Sequence, residues 1–431
     1  MRLLIIGAGP GGYETAVEAV KRGMEVTLIT EGPLGGTCLN EGCIPTKTFC
    51  HYAELIEQNL KAGFDCKPSF AAAAERKQTV IEQLRGGIDM LLKNVEVVRG
   101  RAQFKDSKTV VCNGIDYTAD KIIIATGSVS ASLPVPGAEN CITSKEILEM
   151  TEVPESLCVI GGGVIGLEFA SIFRSFGSEV TVLEFCPNIL PRFDSDLAKR
   201  LKQSLSKRGI NIEVQAQVTR NDGNTVTYIK KEKEFTLQAD KILMAVGRRP
   251  NTDGLNLEAA GIDYTRKGIT VNNRFETSVP GIYAVGDVTG GIMLAHAATY
   301  QGLHALNCIC GQEDSIRFDL IPAAVFTMPE VATVGLTEEQ CKEQNLEVRC
   351  LKSFYRANGK AVSMDETDGY CKVIVDSGGK ILGAHLMGAH ASDLIHEITT
   401  AINLGASLDQ LQSIIHAHPT LSEVLQSALH Q

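Results

Sequence analysis

The segment Gly35-Gly36-Thr37-Cys38-Leu39-Asn40-Glu41-Gly42-Cys43-Ile44-Pro45-Thr46-Lys47 carries the strongest chemical signal in the 431-residue chain. Cys38 and Cys43 stand five positions apart, flanked by glycines and followed by a helix-forming run. Two cysteines so placed can close a small disulfide ring at a helix start. A helix N-terminus and nearby Lys47 lower a thiol pKa and favour the thiolate that does exchange chemistry. The other reading is two unrelated buried cysteines, which is what most of the 13 cysteines are expected to be. C-x4-C is not zinc spacing and no partner pair follows, so no metal is expected. Cys308-Ile309-Cys310 lacks any such context and reads as structural.

The elements that position this segment announce themselves as an internal repeat. Leu4-Ile5-Ile6-Gly7-Ala8-Gly9-Pro10-Gly11-Gly12 is a short apolar strand running into a glycine-rich turn. Cys158-Val159-Ile160-Gly161-Gly162-Gly163-Val164-Ile165-Gly166 repeats it 154 positions on, Gly161 falling on Gly7. Val26-Thr27 likewise falls on Val180-Thr181. Each copy reads as strand, GxGxxG turn, helix and second strand, the opening of a dinucleotide-binding βαβ unit. One such turn is a weak signal; two at the same offset are strong. Gly7, Gly9 and Gly12, and Gly161, Gly163 and Gly166, let the backbone approach a pyrophosphate at a helix N-terminus. In the second copy Glu184 ends the second strand, where a carboxylate accepts hydrogen bonds from ribose hydroxyls and repels a 2′-phosphate. NAD is therefore expected over NADP. In the first copy Thr30 takes that place and Glu31 follows it, and Glu31 is expected to bind the ribose.

The remaining pattern is ordinary for a chain of roughly three domains. Ser69 to Leu92 reads as a helix with Val80, Leu84, Ile88, Leu91 and Leu92 at helical spacing. Cys371-Lys372-Val373-Ile374-Val375 before Gly378-Gly379 signals a hairpin, and helical segments follow from about Asp393. This last third has no nucleotide fingerprint and reads as an α+β module. Hydrophobic residues make up 44% of the chain, and 51 acidic residues against 41 basic ones leave a net charge of −10. Such a balance argues against a nucleic-acid or anionic-membrane surface. No apolar run approaches a membrane span and the N-terminus is too short for a signal-peptide core, so a cytoplasmic location is expected, or an organelle if a transit peptide has been removed.

Taken in order, the motifs resemble those of the class I pyridine-nucleotide disulfide oxidoreductases along nearly the whole chain. The cysteine segment resembles their active-site segment. Ala125-Thr126-Gly127-Ser128 resembles the flavin-domain turn, and Gly247-Arg248-Arg249-Pro250-Asn251 the motif that closes the NAD domain. Tyr283-Ala284-Val285-Gly286-Asp287 resembles the second FAD motif, and His416-Ala417-His418-Pro419-Thr420-Leu421-Ser422-Glu423 the C-terminal catalytic motif.

The resemblance implies an α/β protein with two Rossmann-like domains and a C-terminal α+β dimerisation domain. It divides the chain into 1–145 and 271–318 for FAD, 146–270 for NAD, and 319–431 for the interface. It makes Cys43 the thiol nearer the flavin and Cys38 the one that exchanges with substrate. Lys47 would sit beside the flavin and pair with Glu168. His418 would be the acid–base, oriented by Glu423, and would reach Cys38 of the partner subunit in a homodimer. Glu31, Thr37, Lys47, Thr126, Gly127 and Asp287 would contact FAD, and Gly247 would join the NAD site. Thiol–disulfide exchange needs such a base, and a histidine with a pKa of about 6.5 suits it; His416 reads as structural.

Within the family, the branch that oxidises dihydrolipoamide fits best. Arginines that select NADP are missing around Glu184, and the chain ends Leu429-His430-Gln431 without a further cysteine pair. The implied partner is a lipoyl-bearing protein, or free dihydrolipoamide, in a 2-oxoacid dehydrogenase or glycine-cleavage assembly. The competing readings are another NAD(P)H-dependent flavin disulfide or quinone reductase, and a mainly structural subunit of such an assembly.

Overall fold

The computed structural model describes residues 1–64 and 69–431, which fall into two compact units. One comprises residues 1–48, 74–131 and 247–316; the other comprises 49–73, 132–246 and 317–431.

The first unit opens with β1 (Arg2–Ile6), α1 (Pro10–Lys21) and β2 (Glu25–Thr30). Then come the short α2 (Gly36–Glu41), α3 (Cys43–Lys61), which runs on into the second unit, α4 (Phe70–Leu91), β3 (Glu96–Arg99) and β4 (Lys121–Ile124). The sheet is parallel, in the order 282–284, β4, β1, β2, β3. Its strands are continuous apolar runs because both faces are covered. Leu3, Ile5 and Leu28 pack into one layer with Ile123 and Tyr283, while Leu4, Ile6 and Ile29 pack into the other with Ile122 and Ile124. The period-2 alternation thus feeds two cores rather than a core and a solvent face.

Helix α4 covers the expected span, but its buried stripe differs from the one the spacing suggested. Ile81, Ile88 and Leu92 are buried, whereas Leu84 is 42% and Leu91 57% exposed. Leu91 lies three positions beyond Ile88, at the edge of the stripe, and the helix turns it outward in favour of Leu92.

In the second unit, β5 (Ser156–Ile160), α5 (Val164–Phe176) and β6 (Glu179–Glu184) form the second copy of the repeat. They are followed by α6 (Ser195–Lys207), β7 (Ile210–Val214) and β8 (Lys241–Met244). The parallel order is β7, β6, β5, β8. Ile6 pairs with Ile29 in the first copy and Ile160 with Leu183 in the second, so the 154-residue repeat holds in register as well as in sequence.

The chain then supplies β9 (Ile282–Ala284) to the first unit's sheet, and α7 (Ala295–Ile309). The last third is an antiparallel sheet of β10 (Ala323–Val325), β11 (Val331–Gly335), β12 (Val348–Phe354), β13 (Tyr370–Asp376) and β14 (Ile381–Met387). Strands β13 and β14 form the expected hairpin, with Asp376 Oδ1 accepting from the N–H groups of Gly378 and Lys380. Helices α8 (Ala391–Leu404) and α9 (Glu423–Leu429) bury Ile395, Ile398, Val424 and Leu425 with the sheet residues Val373 and Leu386. The fold is α/β, with two Rossmann-like halves and a C-terminal α+β module.

Candidate active site

Cys38 lies within α2 and Cys43 opens α3, so a single kink at Gly42 separates the two helices that carry them. The approach of this segment to the first glycine turn requires glycine. Gly35 and Gly36 have φ of +87° and +58°, and a Cβ on Gly36 would come within 2.7 Å of Gly9 Cα. The Gly35 N–H donates to the Ala8 carbonyl at 2.9 Å. The cysteine segment is thereby seated on the first glycine turn. Asn40 secures it from the other side: its amide donates to Leu34 O and Gly36 O, and its Oδ1 accepts from Arg85 of α4.

Cys38 is partly buried and Cys43 exposed, with their side chains within hydrogen-bonding reach. The hydrogen bond with Cys43, burial and the Cys43 charge push the Cys38 thiol up, and Lys47 pulls it back only in part. The sequence led us to expect a thiol pKa lowered by the helix start and Lys47; at Cys38 the neighbouring sulfur outweighs that pull. Ionisation of one thiol therefore holds the proton on the other.

The two glycine turns divide their labour in the same way. A Cβ on Gly7 would lie 2.3 Å from Ala125 O, and one on Gly12 1.8 Å from Gly7 O. In the second copy a Cβ on Gly161 would lie 2.4 Å from Ala245 O, and one on Gly166 2.0 Å from Gly161 O. The first and third glycines thus permit close packing of strand on helix. A Cβ on Gly9 or Gly163 would meet no atom within 4 Å. These two are the N-caps of α1 and α5, in extended conformation, with no side chain to satisfy the helix N–H groups. An open, uncapped helix start is the environment a pyrophosphate requires, and the residues present fit one at each turn.

Glu184 is 7% exposed; its Oε2 accepts from Gly162 N–H and its Oε1 from Cys186 N–H, both at 2.6 Å. The carboxylate is fixed at the strand end beside the turn, with further lone pairs open to hydroxyl donors. Thr30 is the residue in register with Glu184; it is buried and its hydroxyl donates to Gly32 O at 3.1 Å. Glu31 follows it on the surface.

A cluster that sequence reasoning left dispersed forms within the first unit. Ser128 Oγ donates to Asp287 Oδ2 at 2.5 Å, and Arg248 donates to Ser128 Oγ and Ser128 O, each at 2.7 Å. The strand 248–250 pairs with 128–130, and Thr126 Oγ1 donates to Asn251 O at 2.7 Å. Gly127 O accepts from Asn251 N–H, and Gly247 O from Ala131 N–H. Burial lowers the Arg248 pKa against the opposing negative charges of Asp287, Cys43 and Glu41. Arg248 is thus a cation facing Asp287 on one side and the cysteine segment on the other. Its motif was visible in the sequence, but not its return to the first nucleotide fold.

Thr37 is exposed at the start of α2. Glu168 is buried on α5, where its Oε1 accepts from Phe326 N–H at 3.0 Å. In the C-terminal module His418 Nδ1 meets Glu423 Oε1 at 2.9 Å, and Glu423 Oε2 accepts from Thr420 N–H at 2.8 Å. The Thr420 bond and the His418 contact hold the Glu423 carboxyl below its ordinary value. His418 leaves 78% of its side chain exposed. His416, by contrast, is buried and meets Glu397 Oε1 at 2.8 Å, a satisfied structural histidine.

Among the described residues, no cluster of His, Cys, Asp and Glu is arranged to hold a metal, and no helix is long and apolar enough to cross a membrane. Residues 1–302 match the family model described as pyridine nucleotide-disulphide oxidoreductase, and residues 321–429 match the dimerisation domain of the same proteins. The chain belongs to that family. The oxidoreductases it is similar to include the dihydrolipoyl dehydrogenase of Geobacillus stearothermophilus, 41% identical over 99% of this chain and 94% of the relative. The mitochondrial dihydrolipoyl dehydrogenase 2 of Arabidopsis thaliana is 38% identical over 99% and 89%. Among solved structures, the HOCl-induced flavoprotein disulfide reductase RclA from Escherichia coli superposes with a TM-score of 0.90 at 32% identity, covering 100% and 99% of the two chains. LpdA from Mycobacterium tuberculosis gives 0.90 at 29% identity over the same shares.

Proposed function

We propose that this protein is a dihydrolipoamide dehydrogenase, oxidising a dihydrolipoyl group with reduction of NAD+ through Cys38, Cys43 and bound FAD. The observation that carries the reading is the Cys38–Cys43 pair, within reach of one another and seated on an open glycine turn. The named relatives support the substrate: dihydrolipoyl dehydrogenases match over 99% of the chain.

FAD would lie along residues 1–145 and 271–318, held by the turn Gly7, Gly9 and Gly12, by Glu31, Thr37, Lys47, Thr126 and Gly127, and by Asp287. NAD would lie in 146–270 against Gly161, Gly163, Gly166, Glu184 and Gly247, and residues 319–431 would form the interface of a homodimer. Bound flavin supplies the two-electron link between a dithiol and a nicotinamide. Cys38 exchanges with the substrate dithiol, and Cys43 holds the sulfur on the flavin side. His418, its Nδ1 tied to Glu423, takes the substrate thiol proton at Nε2 and serves Cys38 of the partner subunit. Lys47 sets the positive charge near the flavin, and Arg248 adds a second cation beside Cys43.

An anaerobic titration with NADH or dihydrolipoamide, followed in the visible spectrum, tests this. A long-wavelength band at two-electron reduction is expected, together with NAD-linked lipoamide activity that is lost in Cys38→Ser. Simple bleaching, or full activity in that variant, would sink the route. A second reading, reduction of a different disulfide, is favoured by the likeness to the flavoprotein disulfide reductase RclA. A substrate panel in which lipoamide is a poor substrate would select it.

A further inference from the structure

The C-terminal end of α7 carries Cys308, which sequence context alone marked as structural. In the fold, Cys308 Sγ lies 3.7 Å from His304 Nε2, one helical turn earlier. His304 Nδ1 faces both Asp314 oxygens, at 3.0 and 2.8 Å. The Asp314 carboxylate is itself oriented: it accepts from Asn307 Nδ2 at 2.7 Å and from Ile316 N–H at 3.1 Å. Arg22 holds the Asn307 amide by donating to its Oδ1 at 2.8 Å, so the amide presents its N–H2 to Asp314. Phe275 packs edge-on against the imidazole, with ring centroids 5.8 Å apart. Nucleophile, base and orienting carboxylate therefore stand in the order that activates a sulfur.

The proton assignment follows from the partners. A ring nitrogen facing two carboxylate oxygens donates, so Nδ1 carries a hydrogen. Nε2, facing Cys308 Sγ, is then the ring nitrogen that accepts the Cys308 proton. Nε2 also lies 3.2 Å from the Asn273 carbonyl, an acceptor that only a protonated Nε2 can satisfy. A proton passed from Sγ to Nε2 therefore meets the Asn273 carbonyl as its acceptor. Arg274 donates to the Cys308 carbonyl at 3.2 Å and adds a second cation at the helix end. His304 and Asp314 keep 19% and 13% of their side chains exposed, and Cys308 is partly exposed, so a small molecule can reach the sulfur. Among the described residues outside the Cys38–Cys43 segment, the other part-exposed thiols are differently placed: burial pushes Cys141, Cys186 and Cys350 up, Cys50 hydrogen-bonds to Phe326 O, and Cys310 accepts from Arg22 at 3.9 Å.

We propose that Cys308, with His304 as base and Asp314 as its positioning residue, is a second thiol-exchange site, taking low-molecular-weight disulfides independently of the Cys38–Cys43 pair. Cys308 transfers its proton to His304 Nε2, and the thiolate attacks one sulfur of R–S–S–R. The S–S bond breaks, a Cys308–S–S–R mixed disulfide forms, and the departing thiolate takes the proton back from Nε2. No electrons are gained or lost beyond the exchange.

The test treats the holoenzyme with a sub-stoichiometric amount of 4,4′-dithiodipyridine, follows release of thiopyridone, and locates the label by peptide mass spectrometry. Among cysteines outside the Cys38–Cys43 segment, Cys308 is expected to take the first label, with Cys310 two residues away as the internal control. His304→Gln should slow this phase about tenfold at neutral pH, since an unassisted thiol is only a few per cent ionised there. Asp314→Asn should slow it less, and NAD-linked turnover of both variants should match the parent. First labelling at another of those cysteines in the unmodified protein, or an unchanged rate in His304→Gln, would overturn the proposal.

Discussion

Lys372 donates to both carboxylate oxygens of Asp194, at 3.0 and 2.8 Å, with both side chains wholly buried. Asp194 caps α6 of the nucleotide fold by accepting from Leu197 N–H at 3.3 Å, whereas Lys372 is on β13 of the C-terminal sheet. A third contact, Glu338 Oε2 at 2.7 Å, completes the ammonium's donor set. One buried cation thus ties a helix cap to a sheet.

Removing one member strands the others. Lys372→Met leaves Asp194 buried and charged, and the expected cost is on the order of 3–5 kcal/mol. Urea unfolding of Lys372→Met, Asp194→Ala and the double variant measures it. The double variant should lose much less than the sum of the singles; additive losses would mean the pair is not coupled.

Hydrogen bonds from Lys342 and Lys372 hold the Glu338 carboxyl down, from an ordinary 4.5 to about 2. A depressed carboxyl stabilises the fold at pH values above its unfolded-state pKa, and that stability drains away as pH falls through the folded value. The contribution is therefore complete above about pH 5 and lost between there and about pH 2. Urea midpoints taken from pH 7 down to pH 3 should fall less steeply for Glu338→Gln than for the parent. Parallel curves would refute the assignment.

The His418–Glu423 pair separates two roles. His418→Gln should lower lipoamide turnover by roughly 10²- to 10⁴-fold, the usual worth of a positioned acid–base group. Glu423→Gln keeps the histidine but weakens its orientation, so a smaller loss is expected. Neither should alter the anaerobic flavin titration with NADH. A loss in that titration would place the pair on the nicotinamide side instead.

The second glycine turn offers a clean contrast between packing and binding. A Cβ on Gly163 meets open space, whereas one on Gly166 would lie 2.0 Å from the Gly161 carbonyl. Gly163→Ala should fold with an unchanged melting temperature and bind NADH more weakly, read as a raised KM. Gly166→Ala should be destabilised outright. Equal NADH affinity for parent and Gly163→Ala would remove the nucleotide from this turn.

Local physics was legible in the chain, and long-range meetings were not. The 154-residue repeat, its two glycine turns, the cysteines at a helix start and the β13–β14 hairpin all rest on neighbours a few residues apart, whose spacing already states their geometry. The Thr30 and Glu184 equivalence was readable for the same reason. Which face of α4 is buried was not, because Leu84 and Ile88 are equally apolar and only the surrounding packing chose Ile88. Ser128, Arg248 and Asp287 come together only when the chain, having built a second nucleotide fold, returns to complete the first sheet with β9. Cys308 shows both sides at once. Its one-turn spacing from His304 is written in the sequence, but the loop that brings Asp314 back to the imidazole is a tertiary event. The sequence alone determined the fold class and the placing of Cys38 and Cys43 at a helix start. Tertiary structure decided which distant charges share a buried site, because those pairings depend on how the elements pack rather than on the order in which they occur.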